Sequence, residues 1–379
     1  MNEHTPKVET DSKILTALLL LPSNSVFYWR NLVQIPFLLR NALTLQRAGI
    51  EKLIIWMQDP AQSEGKRKFE QDPRLTLEVE WIDNDIGLQG TRFMVLDGST
   101  LLGKSELAGA MKSVNSNQKD FSDFPFFPDS LQQLLESNKD NLIEVIRPDN
   151  SARIDNENDL IAAEERLLKS VGLNNDSLMD RLLTRFISRQ LTRLFLLTGL
   201  TPNQITFLSL IIGLCAAWNF FQGTYNSNLT GAILLLVSAW VDCTDGEIAR
   251  LKFMESEAGA RFDIFCDNIV HFFVFFSIGM GLFFQTGDPQ FKLFGALAVY
   301  GSLFSFIILG GVIVKKKQED EQDETPSLSD QLANRDFTYF LFILACMGRL
   351  DIFIILTAIG SNLFAIYLIF QKWGPSLKK

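Results

Sequence analysis

Asp242, Asp245, Asp263 and Asp267 stand between two long runs, 203–241 and 268–287, that carry no Asp, Glu, Lys or Arg. Their spacings of three and four residues place each pair on one face of a helix, so a helical hairpin would turn all four carboxylates toward one point. Clustered carboxylates at a membrane boundary repel one another unless cations neutralise them. The plainer alternative, aspartates that only snorkel or pair with neighbouring arginines, is disfavoured because ionisable groups in spans are costly and usually functional. Hard oxygen ligands without histidine or thiolate favour magnesium, manganese or calcium over zinc. Such ions suit a pyrophosphate substrate, whose oxygens they bridge while stabilising the leaving group and helping to activate an attacking hydroxyl. Gly246, Ala249 and Gly259 lie on or near the same faces and leave room for a nucleotide against the backbone, and Arg250 is placed to neutralise phosphate charge.

Composition removes several other chemistries. The formal charge of -9 over 379 residues argues against nucleic acid, which a protein must meet with a surplus of Lys and Arg. Only His4 and His271 are available, which nearly excludes a histidine cluster or a serine triad. Cys215, Cys243, Cys266 and Cys346 are widely spaced inside apolar runs, unlike a disulfide framework or a zinc site, and read as buried small apolar side chains. His271 follows Asp267 by four residues and Asp263 by eight, so it continues the carboxylate face one turn deeper. There it would either orient Asp267 through a ring nitrogen or bond to a neighbouring helix.

The elements that position these residues follow from patterning. After a polar tail, 1–13, residues 14–165 alternate short apolar runs with amphipathic stretches, as an α/β domain with a largely parallel sheet would. ILTALLLL, KLIIWM, LTLEVEWI and RFMVLDG read as strands, and IPFLLRNALTLQRAGI as a helix stopped at Gly49. Residues 166–200 form a linker and an amphipathic helix on which Arg181, Arg185, Arg189 and Arg193 make a cationic stripe. That stripe has two compatible readings: arginines on lipid phosphates, or Arg185 and Arg189 as a phosphate-binding rim beside the site.

Thr201, Pro202 and Gln204 supply an N-cap, a first-turn proline and a capping-box partner for a new helix. Six spans are expected near 203–221, 229–250, 261–284, 291–314, 336–349 and 351–371, the fifth being short for a straight crossing, with a basic tail over 372–379. Arg250, Lys252, Arg261 and Lys315 to Lys317 fall on the side of the arginine stripe, so the positive-inside rule places both termini and the soluble part in the cytoplasm. The polar start MNEHTPKVETDSK carries no signal-peptide pattern, consistent with a multi-pass protein of the cell membrane.

Asp242, Asp245, Gly246, Ala249, Arg250, Gly259, Asp263 and Asp267 match the signature of the CDP-alcohol phosphotransferase family at every position. Eight fixed residues at these spacings arise by chance on the order of once in 10⁹ starts, so the segment 175–371 resembles that family strongly. The resemblance implies six transmembrane helices, usual dimerisation, and transfer of a phosphoalcohol from a CDP-alcohol to an acceptor hydroxyl with release of CMP. It implies metal on Asp242, Asp245 and Asp263, with Asp267 also a ligand or the base that deprotonates the acceptor. Mg2+ or Mn2+, in a two-metal site, is the expected cofactor. TPNQIT looks like the family's first span, with Asn203 near the nucleotide. The partners implied are the CDP-alcohol, a lipid or phosphoalcohol acceptor, membrane lipids and a second copy of the chain, with no nucleic acid.

Residues 14–165 resemble a Rossmann-type nucleotidyltransferase, as found fused in inositol-1-phosphate cytidylyltransferase/di-inositol-phosphate phosphate synthases. LLRNALTLQRAGIEKLII and RIDNENDLIAAEERLL carry the likeness. Active relatives follow the first strand with a glycine-rich loop and a lysine, whereas this chain has LPSNSVFYWRNLVQIP. Asp97 and Asp155 stand where metal-binding carboxylates are expected, yet the expectation is a degenerate domain with a structural, docking or regulatory role. Two rival functions accompany this reading: an ion-coupled transporter, and a bifunctional enzyme that makes its own CDP-alcohol from CTP.

Overall fold

A computed structural model describes residues 16–21, 25–57, 63–82, 93–103, 107, 142–146, 153–171, 184–316 and 336–373. The chain forms two compact units, Met1–Leu168 and Lys169–Lys379.

The first unit is built on a parallel sheet of β1 (Thr16–Leu21), β4 (Lys52–Met57), β5 (Glu78–Ile82), β6 (Phe93–Asp97) and β7 (Leu142–Ile146), in the order β5-β4-β1-β6-β7. Parallel strands need long crossovers, and α1 (Phe37–Arg47) provides the one between β1 and β4. Central β1 is buried along its whole length, which explains its unbroken run TALLLL, whereas edge strand β5 alternates exposed and covered positions. The four strands and the helix expected from sequence stand at these places. β7, with the sequence LIEVI, was not foreseen, nor was the small antiparallel pair β2 (Asn31–Leu32) and β3 (Ile35–Pro36). Gly49 takes φ 93 just past α1, as a helix stop requires. α1 also buries Asn41, whose amide donates to the Thr100 carbonyl at 2.8 Å and accepts from Leu102 N–H at 3.1 Å, fastening the helix to the turn after β6. Two further helices belong to the described chain here, α2 (Ser63–Glu70) and α3 (Glu157–Ser170).

The second unit is helical. α4 (Arg185–Thr198) is followed by α5 (Pro202–Phe221), α6 (Tyr225–Lys252), α7 (Glu257–Thr286), α8 (Gln290–Lys316), α9 (Asp336–Cys346) and α10 (Leu350–Trp373). α5 packs on α6 and α7, α8 on α7 and α10, and α9 and α4 on α6. The capping box at Thr201 and Gln204 and the first-turn Pro202 are present as read from sequence. Large apolar side chains such as Trp218, Tyr300, Ile307 and Leu363 point outward, while Asp242, Asp245 and Glu247 are buried. That inversion suits a hydrocarbon surround rather than water. Among the described residues, four helical segments, Pro202–Phe221, Glu257–Thr286, Gln290–Ile308 and Leu350–Phe370, are long and apolar enough to cross a membrane. α6, whose C-terminal part carries Asp242, Asp245, Glu247, Arg250 and Lys252, is not among them, and α9 has 11 residues.

The cysteine expectation needs correcting. Cys266 is buried, Cys243 half-buried, and Cys215 and Cys346 are exposed, because the outer surface of a span is as apolar as its core. Close backbone approach sets the α5–α7 packing. A Cβ at Gly281 would lie 2.2 Å from the Phe220 carbonyl oxygen, and one at Gly223, where φ is 70, would lie 2.4 Å from the Gly281 oxygen. Gly281→Val is therefore expected to destabilise the helical unit by about 1–3 kcal/mol, the scale of overpacking. A lowered melting temperature in detergent, with Gly281→Ala intermediate, checks this.

Candidate active site

The turn between α6 and α7 brings the two aspartate pairs together. α6 ends where Phe253 takes a left-handed conformation (φ 56) and Met254 N–H donates to the Ala249 carbonyl at 2.9 Å. Ser256 then caps α7, its hydroxyl accepting from Gly259 N–H at 3.0 Å. Both helices run past the limits read from sequence, so Gly259 sits in the first turn of α7 rather than in a loop.

Asp242 and Asp245 are buried on α6 and Asp263 is half-buried on α7; one oxygen from each lies within 4.8 Å of the others. Oxygens that share one hard divalent ion, each about 2.0–2.6 Å from it, lie at most about 4–5 Å apart, so this donor set fits magnesium, manganese or calcium. Asp267 lies one turn beyond Asp263. With Ser209, Ser238, Asp242, His271 and Thr338 it lines a cavity of about 30 Å³. The His271 ring stacks on Phe275 at 6.0 Å and meets Phe337 edge-on at 5.1 Å, on the wall that Asp267 also lines.

Two hydroxyls from α5 had no place in the sequence reading. Thr206 Oγ1 donates to Asp245 Oδ2, and Ser209 Oγ donates to Asp242 Oδ1 at 3.1 Å. Ser238 on α6 donates to the Ser209 carbonyl at 2.7 Å, which ties α5 to α6 at the same level. Their signal was the three-residue spacing of Thr206 and Ser209, which matches that of Asp245 and Asp242.

Other expected residues fall nearby. Asn203 is exposed at the start of α5, with its Oδ1 3.2 Å from where a Cβ on Gly259 would stand, so these two face each other across the α5 and α7 starts. Gly246 lies beneath Arg250, whose Nη1 would be 3.2 Å from a Cβ there, and Ala249 is half-buried on the same helix. Arg250 Nε donates to the Val171 carbonyl at 3.2 Å.

Of the arginine stripe, Arg181 lies outside the described residues, and Arg189 and Arg193 are half-buried. Arg185 turns inward instead, 2.8 Å from Glu247, a buried carboxylate that the sequence reading passed over. Ser188 and Thr192 of α4 also donate to Glu247, at 2.7 and 2.6 Å. A Glu two residues after Asp245, and so on the opposite face of the same helix, was the available signal.

In the first unit, Asp97 closes β6 and accepts from Ser99 N–H at 2.8 Å and Ser99 Oγ at 2.6 Å, while Asp155 pairs with Arg153 at 2.9 Å. The Ile154 N–H donates to the Ser99 carbonyl at 2.8 Å, so the two aspartate loops are neighbours. Burial, and next the charge of Asp97, raise the Tyr28 phenol above its ordinary range.

Residues 199–369, which hold the whole aspartate cluster, match the family described as CDP-alcohol phosphatidyltransferase. This stretch is a CDP-alcohol phosphatidyltransferase domain. Among curated relatives, the bifunctional IPC transferase and DIPP synthase of Aquifex aeolicus is 27% identical over 230 residues, 58% of this chain and 51% of that one. The similarly named protein of Rubrobacter xylanophilus is 34% identical over 150 residues, 38% of this chain and 33% of that one. Archaetidylinositol phosphate synthase of Pyrococcus horikoshii is 31% identical over 83 residues, 22% and 43% of the two chains. The matched part of the chain spans about half the length of the Aquifex aeolicus relative, and less of the others. Among solved structures, Mycobacterium tuberculosis phosphatidylinositol phosphate synthase with CDP-DAG bound is similar at TM-score 0.39 and 19% identity, over 50% of this chain and 94% of that one. The same enzyme in complex with manganese and citrate gives TM-score 0.41 and 18% identity, over 49% and 88%.

The geometry of the CDP-alcohol phosphatidyltransferase domain makes a graded forecast. Asp242→Asn, Asp245→Asn and Asp263→Asn should each abolish turnover in a protein that still folds. Thr206→Val, which removes only the hydroxyl on Asp245, should weaken divalent-metal affinity about 10- to 100-fold, as loss of a hydrogen bond to a ligand does. Mn2+ binding and turnover measured on the same detergent-purified variants test both parts.

Proposed function

We propose that this protein is a membrane phosphotransferase that moves a phosphoalcohol from a CDP-alcohol to an acceptor hydroxyl and releases CMP. The observation that carries the reading is the convergence of Asp242, Asp245 and Asp263 from two helices within a domain of matching family. Divalent metal such as Mg2+ or Mn2+, held by these carboxylates as a pair in this reading, would supply neutralisation of the pyrophosphate charge and so ease departure of CMP. The chain's own residues do the rest. Asp242, Asp245 and Asp263 would hold the metal, and Thr206 and Ser209 hold two of those carboxylates in position. Asn203, Gly246, Ala249 and Gly259 accommodate the nucleotide, with Arg250 against phosphate. Asp267 accepts the proton of the acceptor hydroxyl as its oxygen attacks the phosphorus of the phosphoalcohol; the bond from that phosphorus to the bridging oxygen breaks, and CMP leaves with the electron pair.

His271, on the cavity wall beside Asp267, orients that carboxylate in this reading. Arg189 forms the rim that meets phosphate in this reading, whereas Arg185, which the sequence placed beside it, is committed to Glu247. The name of the Pyrococcus horikoshii relative supports an inositol-phosphate type of acceptor. Six spans, cytoplasmic termini in the cell membrane, and a homodimer complete the proposal. The boundaries we propose are 14–165 for a nucleotidyltransferase-like Rossmann-type domain, 166–200 for linker and interfacial helix, and 201–371 for the membrane domain.

A second reading, in which the first unit also makes the CDP-alcohol from CTP, is supported by the bifunctional names of the relatives and by the adjacency of the Asp97 and Asp155 loops. Against it stand the local commitments of Asp97 to Ser99 and of Asp155 to Arg153.

Purified full-length protein incubated with a panel of CDP-alcohols and acceptors should release CMP with Mg2+ or Mn2+ and stop on addition of EDTA. No CMP release from any pair would sink the reading, and pyrophosphate formed from CTP plus a phosphoalcohol would establish the bifunctional one. His271→Phe should lower kcat roughly ten- to a hundredfold at unchanged melting temperature. A drop in melting temperature with turnover per folded molecule intact would make His271 a packing residue.

A further inference from the structure

α4 is built inside out. Its outward face carries Phe186, Leu194 and Leu197, the last 83% exposed, while the face against α6 presents Arg185, Ser188 and Thr192. Apolar burial therefore contributes little on that face beyond Leu196, and polar contacts must hold the two helices together. All three inward side chains converge on one group. Glu247, 2% exposed, receives Arg185 Nη1 at 2.8 Å and Ser188 Oγ at 2.7 Å on one oxygen, and Thr192 Oγ1 at 2.6 Å on the other.

Glu247 follows Asp245 by two residues, which on a helix is about 200° around the axis. The carboxylates of α6 thus point in two opposed directions: Asp242 and Asp245 toward α5 and α7, Glu247 toward α4. α5 hydroxyls hold the front of the helix and α4 side chains hold the back. Any rotation of α6 that would carry Asp242 and Asp245 away from Asp263 must also break the contacts of Glu247.

We propose that Glu247 is a positioning residue that sets the rotation of α6, and hence the aim of the metal-binding carboxylates, by locking it to α4. Arg185 then serves as the counter-charge of this lock. The proposal rests on the metal-site reading given above and adds to it a residue on the far side of the helix, remote from substrate.

The test is Mn2+ binding by the full-length protein in detergent without substrate, followed by electron paramagnetic resonance, beside a melting curve. Glu247→Gln keeps the size of the side chain but removes the negative charge on which Arg185, Ser188 and Thr192 converge. It should weaken Mn2+ binding about tenfold, the lower end for supporting contacts to metal ligands. The double variant Arg185→Gln with Glu247→Gln should return to within about threefold of wild type, because neighbours that form one interaction are non-additive. Mn2+ affinity unchanged in Glu247→Gln, whatever its melting temperature, overturns the proposal, and so do additive losses in the double variant. Should Glu247→Gln fail to fold, Thr192→Val removes one contact and keeps the ion pair; a severalfold weaker Mn2+ affinity supports the lock, and an unchanged one refutes it. Wild-type protein that binds no Mn2+ would instead bring down the metal-site reading on which the proposal stands.

Discussion

Three carboxylates held within 4.8 Å of one another in an apolar helical unit are the constraint on which the rest of this structure turns. Like charges so close, and partly withdrawn from water, raise each other's energy steeply unless positive charge or hydrogen-bond donors answer them. The surroundings supply the donors: Thr206 and Ser209 reach two of the three aspartates from a neighbouring helix, and Ser238 braces the Ser209 backbone. The remaining negative charge is a demand for cations, and hard oxygen donors specify their kind. The left-handed turn at Phe253 and the Ser256 cap are what bring the two aspartate pairs to one point.

Polar groups inside this unit work in linked layers. On one side of α6 the hydroxyls of α5 meet aspartates; on the other the side chains of α4 meet Glu247. In a hydrocarbon surround such contacts are specific because few alternative partners exist, although each is individually modest in energy. The apolar outer faces of the same helices add little to the choice of neighbour, since lipid receives them as readily as another helix would. Close packing at Gly223 and Gly281 supplies the second kind of specificity, that of shape.

The first unit follows the opposite logic. Its sheet is held by ordinary burial, with β1 and β4 covered on both faces, and buried polar groups such as Arg40 and Asn41 serve to fix loops by donating to backbone carbonyls. Asp97 and Asp155 are each tied within two residues of themselves, to Ser99 and Arg153. A carboxylate satisfied by its own loop has less to offer an external ligand than one assembled from distant helices, which is why the two units differ in how plainly they announce chemistry.

The amino-acid sequence alone specifies most of the order of elements and the aspartate face, because both depend on spacing along one chain: an unbroken apolar run in KLIIWM, period 3.6 over α1, and separations of three and four residues at Asp242, Asp245, Asp263 and Asp267. It also determined the start of α5, since a capping box is a local contract between Thr201 and Gln204. It passed over β7, a short run whose pairing with β6 is settled only by the sheet. Which side chains answer the charges was left to the tertiary structure. Thr206, Ser209, Ser188 and Thr192 are ordinary helical residues until another helix packs beside them, and Glu247 and Arg185 become a buried pair only through contact across 62 positions of chain. Periodicity specifies which face a residue occupies, whereas the partner on that face depends on how whole helices dock, through long-range packing that no local pattern records.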